Sequence, residues 1–163
     1  MTRVTGEIRI DAPREKVWDV IADLGSVSVW NPVLSNSYYT SEAKEGLEAA
    51  RHCEFPGGYV KERTLEWKPG EAFTLDVYEG TVPFASAHGG YSLVDDGDGT
   101  LVTGALEYDL KSDVPVDPQE VERQNREELF PLLLASLKQY VETGEPMPMP
   151  EAAEADTYLK SGS

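Results

Sequence analysis

The sequence predicts an α+β domain: a seven-stranded antiparallel sheet curled around a long C-terminal helix, with two short helices between strands 1 and 2. Three observations predict it. An alternating N-terminal segment leads directly into a helical period. Residues 33–110 then carry six extended segments joined by turns too short for parallel crossovers. A capped, apolar-periodic stretch follows near the C-terminus, which completes an α+β order of elements.

Val4, Ile8 and Ile10 alternate with Thr5, Glu7 and Arg9, the period of a strand with one buried face. Pro13 suits the first turn of a helix, and Glu15 favours its positive end. Val17, Val20, Ile21 and Leu24 recur at helical spacing, and Gly25 offers a left-handed stop. A second small helix is expected through Val29, ending at Trp30-Asn31-Pro32. The extended segments are 33–41, 47–55, 59–68, 72–80, 84–94 and 100–110. Their connections carry turn chemistry, as in Pro56-Gly57-Gly58, Lys68-Pro69-Gly70 and the Asp95–Gly99 run. Gly89, Gly90 and Gly104 fall inside strands, where a missing side chain marks a bulge or open room.

Asp117-Pro118-Gln119-Glu120 combines an N-cap, a proline at the first helical position and an acid in the first turn. A helix from 118 to 143 would be about 39 Å long. Pro131 lies inside it, removes one backbone hydrogen bond and predicts a bend. Residues 1–144 read as one ligand-binding domain. Residues 145–163 are proline-containing and aperiodic, and are expected to be a disordered acidic tail.

Composition narrows the function. The 163 residues include 30 acidic and 14 basic side chains, a net charge of −16. Such a surface repels phosphate backbones and anionic head groups, so nucleic-acid binding is not expected. Cys53 is the single cysteine, which excludes an intrachain disulfide and a CxxC pair. The N-terminus lacks the apolar core of a signal peptide, and the longest apolar run, Leu132–Ala135, is too short to cross a bilayer. A cytoplasmic protein without membrane insertion is the expectation.

The run Ala12-Pro13-Arg14-Glu15-Lys16-Val17-Trp18-Asp19-Val20-Ile21-Ala22-Asp23, then Trp30-Asn31-Pro32, Gly97-Asp98-Gly99-Thr100 and the closing helix resemble the SRPBCC superfamily. These are the START and birch-pollen-allergen-like helix-grip proteins. Within them the chain looks most similar to the polyketide cyclase/dehydrase and lipid-transport branch, over roughly residues 3 to 143. The resemblance implies a hydrophobic cavity between sheet and helix. It implies no single reaction, because a shared fold hosts many functions.

The resemblance also singles out Arg51 and Glu62, which stand where many similar proteins place an arginine and a glutamate facing the cavity. The Pro56-Gly57-Gly58 turn makes their strands neighbours and brings the two to similar depth. Burial favours the neutral form of a carboxylate, and an adjacent guanidinium the charged one. Such a pair can move a proton next to a carbonyl while arginine holds the enolate oxygen. The competing reading is a cross-strand ion pair that organises the sheet or anchors a ligand. Strand parity leaves a conflict: if Glu62 points inward, Thr64 and Glu66 do too, and Leu65 and Trp67 point outward as a dimer patch. Hydrophobicity prefers Leu65 and Trp67 inside, and a bulge between 62 and 65 would reconcile the two.

Trp30 and Tyr38 are expected to approach the cavity, with Leu34 and Asn36 on the parity of Tyr38. Tyr108 shares a face with Val102, Gly104 and Leu106. Cys53, read as a small buried hydrophobe, completes the expected wall with Leu75, Tyr91, Leu129 and Leu133. Similar proteins often carry a bulky aromatic near Gly104, so its absence implies a larger cavity here. His52 and Cys53 are strand neighbours on opposite faces, and His88 offers acid–base chemistry only if it points inward. Asp95–Gly99 superficially suggests a calcium loop, but counted from Asp96 the position needing glycine holds Leu101. No dinucleotide or phosphate-binding glycine pattern occurs, and neither a metal nor a cofactor is expected.

Three function classes stay open: a carrier or receptor of a small hydrophobic molecule (polyketide-, aromatic- or lipid-like), a cyclase/dehydratase-like enzyme using Arg51 and Glu62, and a module that binds another protein by its rim. Oligomerisation is also open.

Overall fold

The first strand obeys its alternation: Val4 and Ile10 are buried and Thr5, Glu7 and Arg9 less so. The computed structural model describes residues 1–148. In chain order these form β1 (Thr2–Ile10), α1 (Arg14–Ile21), a 3₁₀ turn (Leu24–Ser26), α2 (Val27–Trp30), β2 (Asn36–Tyr39), β3 (Ala50–Phe55), β4 (Gly58–Lys68), β5 (Ala72–Gly80), β6 (Phe84–Asp96), β7 (Gly99–Leu110), α3 (Pro118–Gln124), a π turn (Asn125–Leu129) and α4 (Phe130–Thr143). All seven strands join one antiparallel sheet in the order β1-β7-β6-β5-β4-β3-β2. This is the helix-grip arrangement. The proposed tail lies outside the described residues from 149 onward.

The C-terminal helix starts where expected, with the Asp117 carboxylate accepting from the Gln119 N–H at 3.0 Å. It is not uniform. A π turn intervenes just before Pro131, and the Asn125 amide, buried there, donates back to the Val121 carbonyl at 2.8 Å. A wider turn next to a proline is a recognised way to accommodate the missing N–H. Beyond it Leu134, Leu137 and Val141 are buried in one core with Ile10, Leu93 and Val102.

The parity conflict on β4 is resolved by a bulge. Thr64 pairs with Leu75 and Glu66 with Thr74, so Leu65 is an extra residue. Glu62 and Thr64 therefore face inward and so does Trp67, while Leu65 is 43% exposed. Trp67 is thus no part of an outer dimer patch. Its ring lies 5.2 Å from Trp18, edge to face, and 5.8 Å from Phe73, stacked.

The second strand corrects another expectation. It is shorter than residues 33–41, and Ser37 and Tyr39 point inward instead of Asn36 and Tyr38. The reason lies outside the strand. The Ser37 hydroxyl donates to the Gly25 carbonyl at 2.8 Å and accepts from the Ser28 N–H at 3.0 Å, while the Tyr39 hydroxyl donates to Asp23 at 2.9 Å. Anchoring the short helices fixes the parity. Asn36 and Tyr38 are left on the exposed face, with the Tyr38 ring stacked on His52 at 4.9 Å.

Candidate functional site

The inner faces of β3 to β7 alternate apolar residues toward α4. Between them and the helix lies a cavity of about 190 Å³. Its wall includes Trp30 and Leu34 from the short-helix segment, Cys53 from β3, Leu75 from β5, Tyr91 from β6, and Leu129 and Leu133 from the C-terminal helix. Leu106, expected on the face of Gly104 and Tyr108, lines it as well, and Val60, Phe73, Val77 and Phe130 join them without having been singled out from the sequence. The strand parity of Phe73 and Val77 matches that of Leu75 and was the available signal.

Arg51 and Glu62 are direct cross-strand partners in the same wall. Arg51 Nε donates to Glu62 Oε1 at 2.9 Å, and Arg51 Nη1 donates to the Leu24 carbonyl at 3.2 Å. The side chains are only 11% and 16% exposed, which makes this a semi-buried pair unlike the many surface pairs of the molecule. Burial works against the Arg51 charge, but Glu62, joined by Cys53 and Tyr91, more than offsets it and holds the guanidinium above its ordinary value. Through Leu24 the arginine also ties the sheet to the turn between α1 and α2.

Cys53 sits on the same face, with Sγ 3.7 Å from Glu62 Oε1 as a weak donor. Burial pushes its thiol up to about 12, only partly opposed by Arg51, so it is no nucleophile at neutral pH. Burial likewise pushes the Tyr91 hydroxyl up to about 12 against the pull of Arg51. The Tyr91 ring meets Trp30 at 6.3 Å and Phe73 at 5.9 Å, both edge to face.

Four expected wall residues do not line the cavity. Asn36 and Tyr38 face outward, as described above. Tyr108 is 1% exposed but packs with Val4, Ala87 and Phe130 in a second cluster, its ring 4.8 Å from Phe84. Its hydroxyl and the Trp30 indole N–H are buried without a hydrogen-bond partner among the described residues. Gly104 does face inward, but the room it leaves is taken: a Cβ there would lie 2.9 Å from the Phe130 ring. A missing side chain on the sheet is matched by a large one on the helix, so the cavity is not enlarged.

His88 also faces outward, 3.6 Å from Asp76, and is removed from the site. His52 lies on the outer face between the Tyr38 and Tyr59 rings, opposite to Cys53. Asp95–Gly99 forms the β6–β7 hairpin, in which Asp96 pairs with Gly99. Among the described residues no three His, Cys, Asp or Glu side chains group as metal ligands, and no helix is long and apolar enough to cross a membrane.

Known structures share this architecture. A START superfamily protein from Mycobacterium smegmatis superposes with a TM-score of 0.75 at 19% identity, over 86% of this chain and 97% of that one. The protein XoxI from Bacillus cereus gives 0.74 at 20% identity, over 88% and 97%. The di-domain ARO/CYC BexL from the BE-7585A biosynthetic pathway gives 0.71 at 18% identity, over 87% of this chain and 47% of that one. At these identities the likeness concerns the fold. No curated protein matches the sequence. The sequence profile of the family described as "Polyketide cyclase / dehydrase and lipid transport" matches residues 1–142, nearly all the residues that build the sheet and its helix, and the chain belongs to that family.

Proposed function

We propose that the protein binds a small hydrophobic molecule in the cavity between the sheet and the C-terminal helix. The observation that carries this reading is an apolar hollow of about 190 Å³ whose wall holds one semi-buried ion pair, Arg51–Glu62. A pocket of this kind combines apolar surface for affinity with a few polar groups for orientation. Family membership fits it, since the family's description spans lipid transport as well as cyclase and dehydrase chemistry.

Gly89 supplies the test. It lines the cavity, and a Cβ there would meet nothing nearer than 3.4 Å. That is ordinary contact distance for a Cβ, so Gly89→Val is the substitution chosen to narrow the hollow from the sheet side. Calorimetric melting with benzene derivatives, bicyclic aromatics and myristate should show a saturable rise in Tm for at least one class, lost in Gly89→Val. No shift with any class, or equal shifts in both proteins, overturns the reading.

A second reading is supported by the position of Glu62 beside Arg51 and Tyr91. One carboxylate oxygen accepts from Arg51 and Cys53. The other takes part in no hydrogen bond among the described residues and is the one able to accept a proton from a carbon next to a ligand carbonyl. Arg51 would then stabilise the enolate oxygen, as in intramolecular aldol closure followed by loss of water. Glu62→Gln should then abolish turnover while ligand binding persists; turnover that survives the change removes Glu62 from the chemistry.

A further inference from the structure

The cavity is small and unevenly equipped. Its volume of about 190 Å³ is below the roughly 300–1,000 Å³ of pockets that take drug-sized ligands, and an apolar cavity of about 150 Å³ holds one benzene ring. Phe130 limits it on the helix side. The ring occupies the room over Gly104, and a Cβ at Gly6 would lie 3.5 Å from the Cβ of Phe130. Phe130 follows directly on the π turn, is 6% exposed, and belongs to both the cavity wall and the second core cluster.

The same cavity carries hydrogen-bond donors in surplus, with the Tyr91 ring bordering the space over Gly104 together with Phe130. A guanidinium has five N–H groups, and the bonds to Glu62 and Leu24 use two, leaving three. The Tyr91 ring is fixed edge-on by Trp30 and Phe73, with its hydroxyl in the field of Arg51 and Glu62. That hydroxyl stays protonated far above neutrality and offers an O–H. The one anionic acceptor, Glu62, is engaged through Oε1 by Arg51 and Cys53, which leaves a single carboxylate oxygen against the remaining N–H groups of Arg51 and the Tyr91 O–H.

Resting on the reading of this cavity as a ligand site, we propose that its ligand is a single-ring aromatic molecule bearing one hydrogen-bond-accepting oxygen. The ring occupies the apolar part, the oxygen faces Tyr91 and Arg51, and Phe130 limits the room left for the ring. Tyr91 and Phe130 are thus specificity residues of this site.

Isothermal titration of the full chain with acetophenone, ethylbenzene, 2-acetonaphthone and myristate tests the assignment. Acetophenone should bind about tenfold more tightly than the nearly isosteric ethylbenzene, the worth of one buried hydrogen bond. Tyr91→Phe keeps the ring between Trp30 and Phe73. It should erase most of that preference while ethylbenzene affinity stays within about twofold. Phe130→Ala should admit 2-acetonaphthone, which the wild type excludes; Phe130→Leu carries the same expectation should the alanine variant not fold. If acetophenone and ethylbenzene bind alike, or Tyr91→Phe keeps the preference, the oxygen assignment falls and the ligand cavity stands. If 2-acetonaphthone or myristate binds the wild type more tightly than acetophenone, the size assignment falls and the cavity again stands. If none of the four binds, both readings fall.

Discussion

Cys53 shows how position outranks identity at the scale of one residue. It is 1% exposed beside a carboxylate, and burial pushes its thiol from 9.0 to about 12. The folded state therefore keeps a proton that the unfolded chain releases near the ordinary thiol value. The sign follows from linkage: the stability contribution is complete below about pH 9 and is lost as pH rises toward 12. Tyr91 adds to the same alkaline limb, from 10.0 to about 12. Urea denaturation between pH 8 and 11 should thus show a steep loss of stability that Cys53→Ala makes shallower. Equal slopes in the two proteins would remove the thiol from this account. Arg51, Glu62 and Cys53 could be placed on neighbouring strands from the turn at Pro56–Gly58 and from alternation alone. What alternation does not show is the Leu24 carbonyl that accepts from Arg51, because that partner is brought in from 27 residues away.

At the scale of elements, irregularities decide what faces the cavity. Leu65 is the extra residue of the β4 bulge, and it lets Glu62, Thr64 and Trp67 all face inward. Removing it leaves Thr64, Glu66 and Trp67 in ordinary alternation with the same inner set. Deletion of Leu65 should therefore cost only about 1 kcal/mol and keep the near-ultraviolet circular dichroism of the Trp18–Trp67 pair. Loss of that signal would show that the bulge shapes the strand and does more than reset its parity. The short β2 carries the same lesson in reverse. Its sequence is compatible with either face, and the bonds of Ser37 and Tyr39 to the short-helix segment select one. Elements were legible by type and order; parity near a bulge or a short edge strand was not.

For the whole molecule the governing influence is charge. A net charge of −16 on 163 residues means long-range self-repulsion, which added salt screens within about 8 Å at physiological ionic strength. Most ion pairs are exposed and individually weak, so their further weakening by salt is the smaller effect. Thermal midpoints should rise from roughly 10 mM to 300 mM sodium chloride, concentrations chosen to take the Debye length from roughly 30 Å to below 8 Å. A falling midpoint would mean that the surface pairs outweigh the repulsion.

Local pattern determined the order of elements, the antiparallel meander, the capped closing helix and the adjacency of Arg51 and Glu62. Each of these rests on residues close in sequence, on strand and helix periods and on turn chemistry. The tertiary structure alone decided which way β2 faces, where the β4 parity resets, that Phe130 fills the room over Gly104, and hence how small the cavity is. Those outcomes depend on packing between segments far apart in the chain, and a volume is a property of facing surfaces that no single segment carries.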